Sequence, residues 1–332
     1  MRAHMKFILP VAGIVALLVI YSIYWFYAAG KVDEAVGAWI EEKQALGYEI
    51  AYTDLRVRGY PYRFQVEAEG IEISAPASDG GWSGQLTQMQ ANALPYDFSH
   101  WIVSFGGPMR IRSDREIELN ASAARLSIQT NENGDTVRIG AEIEALHAQA
   151  ITGEPVKVEY IDRFVLGGSV EPTDSLRVRV QADGVRISDT AASADITRAF
   201  GAEGDTLRAD FEVTQWAALA REGDAGVWRN AGGALQIHEA ALAWGPAQLS
   251  GQGELVLDAE AQPDGRLSMR IADPDSLALA LVNAGLIPQE NEEALRLAAM
   301  MAPRGPEGVS LPFRLRDGSV YLGPIRIGRL AE

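Results

Sequence analysis

LRVRGYPYRFQVEAEGIEIS, residues 55–74, decides the fold. Leu55 and Val57 alternate with Arg56 and Arg58; Tyr62, Phe64, Val66 and Ala68 then alternate with Arg63, Gln65, Glu67 and Glu69. A period of two with one apolar and one charged side marks strands that are dry on one face and wet on the other, as in antiparallel sheets. Gly59, Tyr60 and Pro61 supply the turn between the two runs. At Gly70 the phase slips, Ile71 and Ile73 continuing at the other parity, and a bulge is expected there.

Upstream, the pattern gives way to a different kind of segment. Phe7–Gly30, FILPVAGIVALLVIYSIYWFYAAG, holds 24 residues without one charge. As a helix it would rise about 36 Å, enough to cross the ~30 Å hydrocarbon core of a bilayer. Phe7, Ile14, Leu18, Tyr24 and Trp25 are read as anchor residues, with Tyr21, Tyr24, Trp25, Phe26 and Tyr27 forming an interfacial aromatic belt at the end of the span. Arg2 and Lys6 precede the span and Lys31 alone follows it closely, so the amino terminus is assigned to the cytoplasm and the rest to the far side. Small residues at Ala28, Ala29 and Gly30 leave cleavage as a signal peptide open, although the apolar run exceeds the usual length of a signal core. Val32, Val36, Trp39, Ile40 and Lys43 then follow a helical face that ends at Gly47. The membrane helix either runs on into this segment or kinks near Gly30.

Downstream, alternation recurs. It covers Trp82 to Gln90, Met109 and Ile111, Val137 to Ala145, Val156 to Tyr160, and Leu176, Val178 and Val180 between Arg177 and Arg179. Signals weaken between 190 and 233, where a strand is expected over Leu207–Val213, a short helix over Gln215–Arg221, and a loop over Gly223–Gly233. Strands return from His238 to Trp244, Gln248 to Asp258 and Arg266 to Ile271, with Gly-Pro at 245–246 and Pro-Asp-Gly at 263–265 as turns. Asp273 as N-cap, Pro274 at the first position and Gly285 beyond the end define a helix, and Pro288 opens a second that Pro303 ends. Val309–Arg316, Asp317-Gly318 and Val320–Ile327 read as a closing hairpin. No βαβ rhythm occurs, which argues against Rossmann and barrel architectures.

Composition narrows the function classes. Of 29 basic and 45 acidic residues only two, both basic, lie in the first thirty positions, so the remainder is strongly acidic. Such a body repels phosphate backbones, and nucleic acid is not expected as a partner. The chain has no cysteine, which excludes disulfides, thiolate nucleophiles and zinc-thiolate sites. His238-Glu239 begins like the zinc-protease motif HExxH, but Leu242 stands where the second histidine belongs. Gly251-Gln252-Gly253 lacks the third glycine of a phosphate-binding turn, and neither a GxSxG elbow nor a P-loop occurs. The acidic groups Asp33-Glu34 and Glu290–Glu293 lack the spacing of a calcium loop. No catalytic residue, metal or cofactor is expected.

Three segments, RVRGYPYRF (56–64), WGPAQLSGQGELVLDAEAQPDGRLSMRI (244–271) and LPFRLRDGSVYLGPIRIG (311–328), resemble an uncharacterised alphaproteobacterial family of membrane-anchored envelope proteins, a domain of unknown function. The resemblance implies location and architecture and assigns no catalytic residue. More distantly, one anchor followed by long antiparallel strands is similar in layout to AsmA-like envelope proteins, which implies a curved sheet with an apolar trough.

The expected fold is mainly β with minor α. A transmembrane helix (with a cytoplasmic stub, 1–30) and a juxtamembrane helix (31–47) precede a large, twisted, mostly antiparallel sheet (48–332, with possible halves 48–188 and 205–332) covered by a few helices. The leading functional expectation is a non-enzymatic protein of the inner (cytoplasmic) membrane with its C-terminal domain in the periplasm. It would bind lipid or another hydrophobic ligand in an apolar groove lined by Phe64, Val66, Leu176, Val178 and Val180, although taken one by one ordinary core packing is the favoured explanation of each. An envelope scaffold that recruits other envelope proteins is the alternative, and an unrecognised enzyme the third.

Overall fold

The computed structural model describes residues 2–188, 190, 194–285, 296–297, 300–305, 308–322 and 325–329, with side chains from residue 13 onward except 222, 325 and 327–329. About 55% of the chain is strand and 24% helix, and the pairing is antiparallel, so the fold is mainly β as expected.

Helix α1 (Arg2–Ala45) is continuous over 44 residues and does not break at Gly30. It is long and apolar enough to cross a membrane. Phe7 lies on this helix, its side chain outside the described residues.

The chain forms two compact units. The first comprises residues 1–118, 125–134 and 151–153 and contains α1. In it, β1 (Glu49–Ala51) and β2 (Asp54–Arg58) both pair with β3 (Phe64–Ser74), which pairs with β4 (Ser83–Leu94), which pairs with β5 (Asp97–Arg112). Two apolar rows cross these strands: Val57, Val66, Ala91 and Val103, and beside it Leu55, Ala68, Met89 and Phe105. The phase slip at Gly70 is not a bulge between β3 and β4. Gly70 takes a left-handed φ of 58°, and the register stays unbroken from Glu69 opposite Gln88 to Ile71 opposite Leu86. The irregularity lies one strand further, where Leu86 faces Met109 but Gln88 faces Gly106, with Gly107 at φ 74°.

The second unit comprises residues 119–124, 135–150 and 154–332. Strands β6 (Glu116–Asn120), β7 (Ala123–Thr130) and β8 (Thr136–Thr152) lie where the chain passes from one unit to the other. From β8 a meander runs through β9 (Val158–Glu171), β10 (Ser175–Ile187), β11 (Glu203–Thr214), β12 (Leu235–Trp244), β13 (Ala247–Leu257) and β14 (Pro263–Ile271). Strand β14 skips the two-residue β15 (Arg304–Gly305) to pair with β16 (Gly308–Arg316), followed by β17 (Ser319–Leu322) and β18 (Ile325–Arg329). Asp317 and Gly318 both have positive φ, as the expected hairpin requires, but its second arm, expected over Val320–Ile327, is split into β17 and β18, which pair with each other with Leu322 facing Ile325.

Helices sit at the margins of this meander: α2 (Ala194–Phe200), α3 (Trp216–Glu222), α4 (Ala225–Asn230) and α5 (Pro274–Asn283). Helix α5 is capped as its sequence indicates, Asp273 Oδ1 accepting from Ser276 N at 3.1 Å. Its Leu277 joins Ala247, Ile271, Val309, Leu311 and Leu322 in the core of the unit. The second expected helix lies largely outside the described residues, which show helix at 296–297 and 300–301.

Two further expectations fail locally. The stretch read as a loop at 223–233 contains α4, because Asp224 Oδ1 caps it by accepting from Gly226 N (2.6 Å) and Val227 N (3.0 Å) and Trp228 pins it to the sheet. Pro263-Asp264-Gly265 is strand; the turn lies just before it, where Asp258 Oδ1 accepts from Glu260 N (3.0 Å) and Gln262 N (2.8 Å). A local side-chain hydrogen bond overrides the composition in both places.

Candidate functional site

The apolar stripe of α1 does not end where the uncharged span ends. Tyr24, Tyr27, Ala28, Lys31, Val32, Ala35, Val36 and Trp39 recur at helical spacing and line one wall of an open groove of about 740 Å³. The other wall is the apolar face of the first unit's sheet: Leu55 from β2, Val66 from β3, Met89 and Ala91 from β4, Phe98 and Trp101 from β5. The volume falls within the roughly 300–1,000 Å³ usual for ligand pockets. Alanines at 28, 35 and 91 leave the room that longer side chains would fill.

At the end of the groove nearer the apolar span, aromatic rings pack the helix onto the sheet. Trp25 (3% exposed) lies against Phe64 (0%), with Ala28, Ala29, Tyr21 and Val57 around them. Trp25 is therefore a core residue, not part of a lipid-facing belt, whereas Tyr24, Phe26 and Tyr27 remain exposed. The helix is further held by hydrogen bonds to two hairpin tips: Tyr21 Oη donates to the Pro61 carbonyl, Tyr24 Oη donates to the Pro95 carbonyl at 2.7 Å, and Ser22 Oγ meets Tyr60 Oη at 2.7 Å. Lys31, the charged member of the lining, is paired with Glu34 at 2.6 Å and stands over the Tyr27 ring.

Of the residues singled out from the sequence, Val66 lines this groove and Phe64 packs at its end. Leu176, Val178 and Val180 lie on β10 in the second unit, half-buried on another apolar face. There one row reads Ile139, Gly168, Val178, Phe211, Ile237, Gly253, Leu267, Phe313 and Leu322 across nine strands. The next reads Ala141, Leu166, Val180, Ala209, Ala240, Gly251, Met269 and Leu311. Glycine and alanine recur in mid-row, and the cluster under α5 seals only one part of this face. Ile14 and Leu18 are exposed on α1.

The polar groups follow the pattern of a solvated sheet face. His238 stands on β12 and meets Glu212 at 3.3 Å; hydrogen bonds from Ser175 and then His238 hold the Glu212 carboxyl below its usual range. Asp210 is depressed likewise, first by Arg177 and then by Arg179. Among the described residues no three His, Asp or Glu side chains converge as a metal site.

Sequence reasoning missed most of the groove, including Ala28, Ala35, Met89, Ala91 and Trp101. The available signal was the stripe itself: the face read as starting at Val32 continues back through Ala28 and Trp25 without a break in helical phase. No curated protein and no solved structure matches the chain. A family profile does match, from Trp25 to residue 331, and the chain accordingly belongs to that family, described as an uncharacterised protein conserved in bacteria (DUF2125).

Proposed function

We propose that the protein is a single-pass component of the inner membrane, with α1 as anchor and the remainder in the periplasm, that holds the apolar part of a lipid or similar hydrophobic molecule in the groove beneath α1. The observation that carries this reading is the identity of the wall. The helix that forms the apolar span also forms one side of the groove, so an apolar ligand leaving a bilayer follows one helix face and meets no charge before Lys31. Two basic residues before the span, Arg2 and Lys6, against Lys31 alone close behind it, support the orientation. A binding rather than catalytic role is supported by the lining, which contributes no carboxylate, histidine or hydroxyl nucleophile other than the two tyrosines.

Mass spectrometry of lipid released from the full chain tests it, with Ala35→Trp and Ala91→Trp as variants that fill the groove. Retained lipid in the wild type that drops in both variants is the expected result. Equal lipid in all three, or none in the wild type, would sink the reading.

A scaffold role is favoured by a separate observation, the half-exposed apolar rows of the second unit. Crosslinking in membranes followed by purification distinguishes the two, since a scaffold retains a stoichiometric envelope protein.

A further inference from the structure

The hairpin tips that grip α1 have an unusual surface. At the β2–β3 turn Tyr62 is 82% exposed, and at the β4–β5 turn Tyr96 is 83% exposed, with Tyr60 and Leu94 also open. The opposite ends of the same hairpins carry Ser78, Asp79 and Gly80, and Ser113, Asp114 and Arg115. One end of the first unit's sheet is thus tipped with aromatic rings and the other with small and charged residues.

The aromatic end has a fixed level relative to the apolar span. About twenty residues are needed to cross the hydrocarbon core, and counted from Phe7 they end at Phe26. The tips are hydrogen-bonded to Tyr21, Ser22 and Tyr24, inside that count and two turns or more before the first following charge, Lys31. A helix placed to span a bilayer therefore carries both turns to the depth of its own last apolar turns. Arg63, exposed beside Tyr62, suits lipid phosphate, and the Asp97 carboxylate is turned onto its own strand by Ser99 N (3.0 Å) and Ser99 Oγ (2.6 Å). Tyrosine, with an apolar ring and a polar tip, is a residue of the membrane–water boundary.

We infer that the β2–β3 and β4–β5 tips insert into the bilayer interface beside α1, Tyr62 and Tyr96 acting as a second, strand-borne set of membrane contacts that holds the mouth of the groove at the lipid surface. The inference rests on the anchoring reading above. Its partner is the lipid bilayer, because the tips are fixed to the flank of an apolar helix at that depth.

The absence of cysteine makes the test direct. Tyr62→Cys, Tyr96→Cys, Ile14→Cys and Ser78→Cys in the full chain, each labelled with an environment-sensitive fluorophore and reconstituted in phosphatidylcholine vesicles, are exposed to lipids bearing a nitroxide on the acyl chain. Quenching at 62 and 96 several times that at 78, alongside strong quenching at 14, is expected. Strong quenching at 14 with positions 62 and 96 no different from 78 overturns tip insertion and leaves the anchor standing. Absence of quenching at 14 as well overturns both. The two tip variants are independent, so failure of one to fold leaves the other to decide.

Discussion

The Trp25 indole lies nearly parallel to the Phe64 ring, with centroids 5.1 Å apart and planes at 15°. Phe64 is stacked in turn with Phe98 at 5.0 Å, so three rings tie α1 to β3 and β5. Phe64 is fully buried, and Phe64→Ala should cost about 3–5 kcal/mol by opening a cavity at this joint. The buried Nε1 of Trp25 has no hydrogen-bond partner among the described residues, so Trp25→Phe removes a cost along with some area and should be close to neutral. Denaturant unfolding of the full chain in detergent checks both; a large loss for Trp25→Phe would mean that the indole nitrogen is satisfied in solution.

The same substitution should behave differently at Trp228. Its Nε1 donates to the Thr214 carbonyl at 2.7 Å, fixing α4 against the end of β11. Trp228→Phe should therefore cost about 1 kcal/mol, and Asp224→Ala, which removes the cap, about as much again. Amide exchange over residues 225–230 should rise in Asp224→Ala. Unchanged exchange would show that the helix is held without its cap.

How far the sequence could be read depended on how local the determining physics is. The alternation around Phe64 and Val178, with arginine, glutamine or glutamate on every second residue, carries its own explanation, and those strands are where they were expected. Asp273 and Pro274 likewise signal a helix within one turn of chain. The groove does not work that way, since Val32 and Ala35 line it together with Met89 and Phe98, more than fifty residues away in the chain. Trp25 is ambiguous for a related reason: an aromatic residue near the end of an apolar span suits lipid and protein equally, and only the position of Phe64 decides between them. At Gly223–Gly233 the glycine content hid a cap that depends on one carboxylate, Asp224.

Asp210 accepts a forked pair of hydrogen bonds from Arg177, both at 2.9 Å, and a third from Arg179 at 2.9 Å across the β10–β11 pairing. These arginines, Arg177 first, hold its carboxyl below the ordinary range. A depressed folded value means that the stabilisation is present above the unfolded aspartate pKa, about 3.9, and is lost as pH falls through the lower folded value. Because the arginines are partly exposed, the contribution is discounted to about 1 kcal/mol. Asp210→Asn should lower stability by that amount at neutral pH, and its difference from wild type should shrink as pH falls below the unfolded aspartate value and through the lower folded one. A constant difference across the range would assign the effect to packing instead of charge.

The small residues of the second unit are of two kinds, and substitution should separate them. A Cβ on Gly253 would lie 2.2 Å from the Arg266 carbonyl oxygen and 2.9 Å from the Leu267 Cα, so β13 and β14 approach too closely there for any side chain. Gly167, on β9, has no atom of the described residues within 4 Å of its would-be Cβ. Glycine in a strand costs conformational entropy that alanine recovers, about 0.4–1 kcal/mol where the backbone is compatible. Gly167→Ala should therefore be stabilising by that amount. Gly253→Ala must push two backbones apart and should cost about 1–3 kcal/mol. The contrast bears on the apolar row itself: if Gly253→Ala were tolerated as well as Gly167→Ala, β13 and β14 could separate, and the row from Val178 to Phe313 would be adjustable rather than set by the backbone. Thermal unfolding midpoints of the two variants, measured side by side in the full chain, decide between a fixed and a pliable face.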